Sequence, residues 1–171
     1  TTEIYTLSLH DALPIFFVER ERRGKTGEQT SDIAKRLADG DSMVLFPEGT
    51  TSDGNRVLPF KTALFGAAHA AIREAGVPEV IVQPVAIAYT GVHGMAMGRY
   101  HRPIASWPGD VQLMPHLKGI LREGAIDVEV RFGEPIVVTA DTDRKALART
   151  MENRVRAQLQ SSLLGREVAE D

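Results

Sequence analysis

Two short apolar runs separated by a helical pattern constrain the fold of this chain most strongly. Ser42–Phe46 and Val80–Ala88 are nearly continuous apolar runs, as expected of strands buried in a parallel sheet. Between them, Thr62–Ala75 carries an apolar stripe at helical spacing, with Gly76 where a helix is expected to end. Strands that alternate with helices predict an α/β fold with a mostly parallel sheet flanked by helices.

The remaining patterns extend this α/β prediction. Ala125–Phe132 alternates apolar and polar residues and predicts a half-buried strand. Tyr89–Pro108 has no clear period and predicts a loop. Apolar residues at helical spacing predict three further helices, at Glu28–Ala38, Gly109–Leu121 and Thr142–Leu164.

The composition excludes several classes of protein. The 171 residues suffice for one domain with a sizeable core. With 20 Lys and Arg against 23 Asp and Glu the net charge is -3, so we predict no nucleic-acid partner. The absence of Cys excludes a disulfide scaffold, a thiol nucleophile and a zinc site built on thiolates. No apolar run approaches the roughly 18 residues of a membrane-spanning helix, and nothing in the sequence predicts a metal or a cofactor.

The first fifteen residues differ in character from the rest of the chain. They lack an initiating Met, a basic region and a small-residue cleavage site, so they do not form a targeting peptide. The segment resembles one reading frame of a common short-read sequencing adaptor. We therefore expect residues 1–15 to be a non-native segment, and residues 16–171 to carry the native domain, incomplete at its N-terminus.

The segment after the first apolar run is the richest in potential chemistry. Phe46-Pro47-Glu48-Gly49-Thr50 would project from the carboxyl end of a strand, where open α/β sheets bind ligands. Glu48 could accept hydrogen bonds from a substrate, Gly49 allows close backbone approach, and Thr50 offers a hydroxyl. The residue types alone fit a solvated turn equally well.

Three blocks in order resolve this ambiguity through resemblance. Phe46-Pro47-Glu48-Gly49-Thr50 with Leu58-Pro59-Phe60-Lys61 resembles the third block of the bacterial lysophospholipid acyltransferases, typified by 1-acylglycerol-3-phosphate acyltransferase. Phe17-Val18-Glu19-Arg20 resembles the second block, and Val82-Gln83-Pro84-Val85-Ala86-Ile87 resembles the fourth. The resemblance covers residues 16 to about 90 and is diffuse from Ala88 onward.

The resemblance implies an enzyme of phospholipid biosynthesis. It would transfer a fatty acyl group from acyl-CoA or acyl carrier protein to the free hydroxyl of 1-acyl-glycerol-3-phosphate, at the cytoplasmic face of a bacterial inner membrane. By position, Arg20 would hold the acceptor phosphate. Glu48, Gly49 and Thr50 would shape the acceptor pocket, and Pro84 would lie on a strand near it.

Two departures from the family pattern limit this interpretation. Thr51 stands where the family often has Arg or Lys, which weakens the expectation of a phosphate on the acceptor. The family's catalytic block, His-x-x-x-x-Asp, is absent, because none of the five His residues has an Asp five positions later. His69 and Glu74 come nearest, but they lie on a predicted helix and after the third block. With no general base to take the hydroxyl proton, we expect this chain to be inactive.

Two alternatives therefore stay open. The intact parent enzyme could acylate a lyso-ornithine lipid, an acceptor without a phosphate. The chain could instead belong to a non-catalytic module that binds lipid or an acyl carrier. A His-x-x-x-x-Asp block encoded upstream of Phe16 would favour an enzyme over the module.

Overall fold

The computed structural model describes residues 33–74, 76–109 and 111–165. Residues 33–38 are helical, and a 3-10 turn at Thr62–Phe65 leads into helix α1, Gly66–Glu74. The other elements follow in chain order: strands β1 (Val80–Val82), β2 (Val85–Val92) and β3 (Met95–Ala96), a 3-10 turn (Arg102–Ile104), helix α2 (Leu113–Glu123), strands β4 (Ile126–Phe132) and β5 (Ile136–Val138), and helix α3 (Arg144–Leu164). Helices and strands are mixed along the chain, as an α/β fold requires.

Every strand pairing within the described residues is antiparallel, so the predicted mostly parallel sheet is not found there. β1 pairs with β5, and a second sheet has the order β3-β2-β4. The antiparallel direction of β2 and β4 follows from how the chain connects them, because β4 begins beside the end of β2. The N–H of His93 donates to the carbonyl of Ala125 at 3.1 Å, so the chain must return along β2 in the opposite direction.

The predicted strand Val80–Ala88 is split at Pro84, which has no N–H to donate to a ladder. Its two halves pair with β5 and β4, which follow each other in the chain, so the pairs form one antiparallel ribbon with a break. The carbonyl of Pro84 accepts the N–H of Gly133 at 2.8 Å, and the side-chain amide of Gln83 donates to the Gly133 carbonyl at 3.0 Å. These two bonds hold the ribbon together across its break.

The segment Ser42–Phe46 is not a buried strand. It has no regular secondary structure and pairs with no strand among the described residues, and Val44 and Phe46 are 68% and 70% exposed. The strand Ala125–Phe132 is confirmed, yet its apolar side faces outward: Val128, Val130 and Phe132 are exposed.

The core consists of two clusters that share helix α3. The larger cluster joins Ala71, Val80 and Val138 to Leu147 and Met151 of the helix. The smaller cluster joins Val57, Ala86 and Ala88 to Leu159, two turns further along. The predicted spacing of apolar residues by four along this helix is thus confirmed.

Helix α2 packs differently from α1 and α3. Pro115 lies in its first turn, where a missing N–H costs no hydrogen bond, so it does not interrupt the helix. None of its residues is buried, and its exposed apolar residues include Leu113, Met114, Leu117 and Leu121. Among the residues described, no helix is long and apolar enough to cross a membrane.

Candidate active site

The loop from Pro47 to Lys61 is closed at its base by two hydrogen bonds. The N–H of Lys61 donates to the carbonyl of Pro47 at 2.8 Å. The carboxylate of Glu48 accepts the backbone N–H of Leu58 at 2.7 Å. The residues of the third block are therefore brought together with the Leu58-Pro59-Phe60-Lys61 segment that follows them.

A second carboxylate accepts a hydrogen bond from the same segment. Glu152 of α3 accepts the N–H of Phe60 at 3.0 Å and pairs with Arg156. Burial raises the pKa of Glu48, the Leu58 N–H opposes that rise, and repulsion from Glu152 adds to it. The Phe60 N–H and Arg156 keep the pKa of Glu152 low. Glu48 is thus the member of this pair that takes up a proton more easily.

Gly49 allows the lysine of the block to approach the backbone. Its φ is +68°, and a Cβ built there would lie 2.6 Å from Nζ of Lys61. The Lys61 side chain therefore packs against the backbone of Gly49, the residue that follows Glu48. Thr50 is exposed, and its hydroxyl oxygen lies 3.1 Å from where a Cβ on Gly109 would stand. The loop thus carries the Glu48 carboxylate, the Lys61 ammonium next to Gly49, and an exposed threonine at position 50.

The other predicted site residues are placed apart from this group or outside the described residues. Pro84 is buried at the break of the ribbon, and its ring lies 2.9 Å from where a Cβ on Gly133 would stand. Arg20 lies outside the described residues. His69 contacts the backbone, with Nε2 at 2.6 Å from the carbonyl of Thr142, while Glu74 is exposed. His69 thus links α1 to the residues just before α3.

A cavity beside the loop was missed by sequence reasoning. It has a volume of about 410 Å³ and is lined by Asp53, Asn55, Arg56, Arg99 and Arg102. The sequence shows Asp53-Gly54-Asn55 only as a turn, with a faint likeness to a calcium loop. No signal in the sequence brings Arg99 and Arg102, more than forty residues later, to the same place. Within the described residues, no group of three or more His, Asp or Glu is placed to hold a metal ion.

Arg102 forms part of the wall of this cavity. It is buried, with only 7% of its surface exposed, although its side chain is charged. Its guanidinium donates to the carbonyl of Tyr89 at 3.1 Å, to the carbonyl of Met97 at 2.8 Å, and to the side-chain oxygen of Asn55. Tyr89 stands at a β-bulge, where the register between β2 and β4 shifts. Gly54, with φ +74°, lets the loop approach Arg102 closely.

Comparison with known proteins identifies the family. Residues 6–88 match the family model described as Acyltransferase. A lyso-ornithine lipid O-acyltransferase of Brucella abortus (strain 2308) is 85% identical over 154 residues, which cover 90% of this chain and 58% of that protein. The enzyme of the same name from Rhizobium meliloti (strain 1021) is 57% identical over 150 residues, covering 88% of this chain and 51% of that protein.

A third relative carries a different acceptor in its name. A 1-acyl-sn-glycerol-3-phosphate acyltransferase of Haemophilus influenzae is 48% identical over 67 residues, which cover 39% of this chain and 26% of that protein. No solved structure matches the chain significantly. The chain spans between half and three-fifths of the length of the two lyso-ornithine lipid relatives. The matched residues and the three sequence blocks agree: this chain belongs to the bacterial lysophospholipid acyltransferase family.

Proposed function

We propose that the protein is a lyso-ornithine lipid O-acyltransferase of bacterial lipid biosynthesis. The observation that carries this proposal is the 85% identity over 90% of the chain to a protein of that name. Thr51 supports it, because the position offers no cation for a phosphate on the acceptor. The 1-acyl-glycerol-3-phosphate acceptor implied by the sequence blocks is the second candidate, supported by the shorter match to the Haemophilus influenzae enzyme.

The proposed reaction forms an ester from a thioester. The hydroxyl oxygen of the lysolipid attacks the acyl carbonyl carbon of acyl-CoA or acyl carrier protein, and the carbon–sulfur bond breaks. The hydroxyl proton passes to a general base and then to the departing thiolate. Such a base contributes about 10²- to 10⁴-fold to the rate.

The described loop would serve the acceptor rather than the proton transfer. Glu48 has a second carboxylate oxygen beyond the one that holds Leu58, and it would accept a hydrogen bond from the acceptor. Gly49 and Thr50 would complete the wall of the acceptor pocket, and Lys61 would add a positive charge there. Arg20 would contribute a second cation, and Pro84, at the break between β1 and β2, would lie near the pocket.

The general base is not supplied by these 171 residues in the family's pattern. None of the five His residues precedes an Asp by five positions, and His69 is engaged with the backbone. We therefore propose that this chain alone transfers no acyl group at a measurable rate. A chain supplied with a His-x-x-x-x-Asp block would be active.

Helix α2 supports work at a membrane surface. Its apolar residues Met114, Leu117 and Leu121 line a shallow open cavity, and Lys118 stands among them. An amphipathic helix that combines such a face with cations is suited to the interface of an anionic bilayer. We propose that this face contacts the cytoplasmic leaflet of the inner membrane, where the acceptor lipid resides.

A chimera tests the proposed activity. Residues 16–171 would be joined to the part of the Brucella abortus relative that this chain does not cover, and assayed with acyl carrier protein and acyl-CoA donors. We expect acylation of lyso-ornithine lipid in preference to lysophosphatidate, and none by the 171-residue chain alone. Preference for lysophosphatidate would favour the second candidate. Binding of lipid or acyl carrier without turnover by the chimera would favour the non-catalytic module.

A further inference from the structure

The cavity lined by Asp53, Arg56, Arg99 and Arg102 carries an unequal set of charges. Three guanidinium groups surround one carboxylate, so the lining is positive. Both Arg56 and Arg99 act on Asp53 electrostatically, which places their charges near that carboxylate. The volume of about 410 Å³ falls within the range of small-molecule sites. A small anion, or a zwitterion with an exposed anionic group, matches this lining.

The three arginines have different tasks. Arg102 is buried, and each of its three guanidinium nitrogens donates one hydrogen bond, to Tyr89, Asn55 and Met97 respectively. Arg56 and Arg99 are exposed at the cavity, and neither guanidinium donates a hydrogen bond to any residue in 33–74, 76–109 or 111–165. Arg102 therefore shapes the site, while the other two can bind a ligand.

The carboxylate of Asp53 is held in place as well. It accepts the backbone N–H of Asn55 at 3.0 Å, and the Asn55 amide donates to the carbonyl of Arg99 at 3.2 Å. These bonds link the loop that carries Asp53 and Arg56 to the segment that carries Arg99. Asp53 keeps its remaining acceptor capacity, since a carboxylate has about four lone-pair sites.

We infer that this cavity binds the amino-acid headgroup of the acceptor lipid, with the headgroup carboxylate on Arg56 and Arg99 and its ammonium on Asp53. The inference rests on the proposed lyso-ornithine acceptor. An ornithine acylated on one amine keeps one carboxylate and one ammonium, which match the two arginines and the aspartate. Guanidinium groups bind carboxylates through paired hydrogen bonds, which gives orientation as well as affinity.

A phosphate would also be attracted to the two arginines, and Asp53 distinguishes the two headgroups. A phosphate has no ammonium for the aspartate, and it would be repelled by the carboxylate. Asp53→Asn removes that charge but keeps the side-chain oxygen that accepts the Asn55 N–H. The substitution should therefore weaken binding of an ornithine headgroup while it leaves a phosphate unaffected or better bound.

A binding experiment on the 171-residue chain tests the site without the reaction. The probes are Nα-acetylornithine, Nα-acetylnorvaline, which lacks the ammonium, and glycerol 3-phosphate, each titrated while NMR signals of the cavity residues are followed. We expect Nα-acetylornithine to bind best. Arg56→Gln and Arg99→Gln should each weaken it about tenfold, the lower end for a hydrogen bond to a charged group. Arg122→Gln on α2 is the matched control and should change nothing.

The outcomes separate this inference from the proposed function. Equal binding of Nα-acetylornithine by the parent chain and by Asp53→Asn, Arg56→Gln and Arg99→Gln would overturn it. In the chimera, Asp53→Asn should lower kcat/KM for lyso-ornithine lipid about tenfold and spare lysophosphatidate. Turnover of lyso-ornithine lipid that all three substitutions leave unchanged would reject the headgroup site and retain the function. Headgroup binding without any turnover by the chimera would retain the site and reject the function.

Discussion

Glu48 and Leu58 close the loop that separates them, through a hydrogen bond of 2.7 Å from the Leu58 N–H to the Glu48 carboxylate. Glu48→Ala leaves that N–H without its partner, and we expect a loss of about 1–2 kcal/mol in the free energy of unfolding. Glu48→Gln keeps an acceptor oxygen and should be at least as stable as the parent chain at pH 7. Urea denaturation of the three proteins compares them. Equal stability of the Ala and Gln variants would show that the bond contributes nothing.

The pH dependence of stability should follow the direction in which the pKa of Glu48 is shifted. Burial raises the pKa of Glu48, so the folded chain binds this proton more readily than the unfolded chain. The stabilisation that comes from binding this proton is fully present below the pKa of Glu48 in the unfolded chain, and it is lost as the pH rises through the pKa in the folded chain. Any stability advantage of Glu48→Gln at neutral pH should therefore shrink as the pH is lowered. An advantage that grows in acid would contradict this assignment.

Gly49→Ala should destabilise the loop. The residue has a φ of +68°, and the new methyl group would lie 2.6 Å from Nζ of Lys61 and 2.8 Å from its Cε. We expect a loss of about 1–2 kcal/mol from the backbone conformation alone. Gly119→Ala is the matched control, because it lies inside α2 with nothing within 4 Å of a Cβ. That substitution should stabilise the chain by about 0.5–1 kcal/mol.

Arg102→Ala should be among the most damaging changes outside the two apolar clusters. It removes the donor shared by the carbonyls of Tyr89 and Met97 and the side chain of Asn55. We expect a loss of about 2–4 kcal/mol, because hydrogen bonds from a charged donor are replaced by unpaired acceptors. Arg99→Ala, at an exposed position of the same cavity, should stay within about 0.5 kcal/mol of the parent chain. Thermal or urea unfolding monitored by circular dichroism measures both variants.

Helix α2 should govern binding to anionic vesicles. Leu117→Asp combined with Leu121→Asp removes two exposed apolar side chains, each worth about 1.5–3 kcal/mol when fully buried. We expect at least a tenfold drop in partitioning into vesicles that contain phosphatidylglycerol, measured by sedimentation. Leu164→Asp changes an exposed leucine at the end of α3 and serves as the control. Similar losses for the double variant and this control would refute a specific role of α2.

Local patterns in the sequence predicted the positions of the helices well. The spacing of Leu147, Met151 and Leu159 defined the buried side of α3, and the Val80–Ala88 run identified the strand region. Strand direction was not predictable in the same way, because it depends on where the chain re-enters the sheet after α2. The alternation of apolar and polar residues in β4 predicted the strand but not which of its two sides faces the core.

The candidate site, too, was only partly predictable from the sequence. The block around Glu48 was found from the sequence, since its residues are neighbours in the chain. The cavity was not, because it depends on Arg102 reaching across to Asn55 and on the β-bulge after Tyr89. Contacts between distant segments of this kind leave no periodic signal in the sequence.

Helix α3 is a single rod of 21 residues, roughly 30 Å long at 1.5 Å per residue. Leu147 and Met151 near its start belong to one apolar cluster, and Leu159 near its end belongs to the other. If α3 detaches from one cluster, it detaches from the other as well. The amides of β1 and β2 should therefore exchange with solvent through one shared opening event, so that the two parts of the ribbon behave as one cooperative unit.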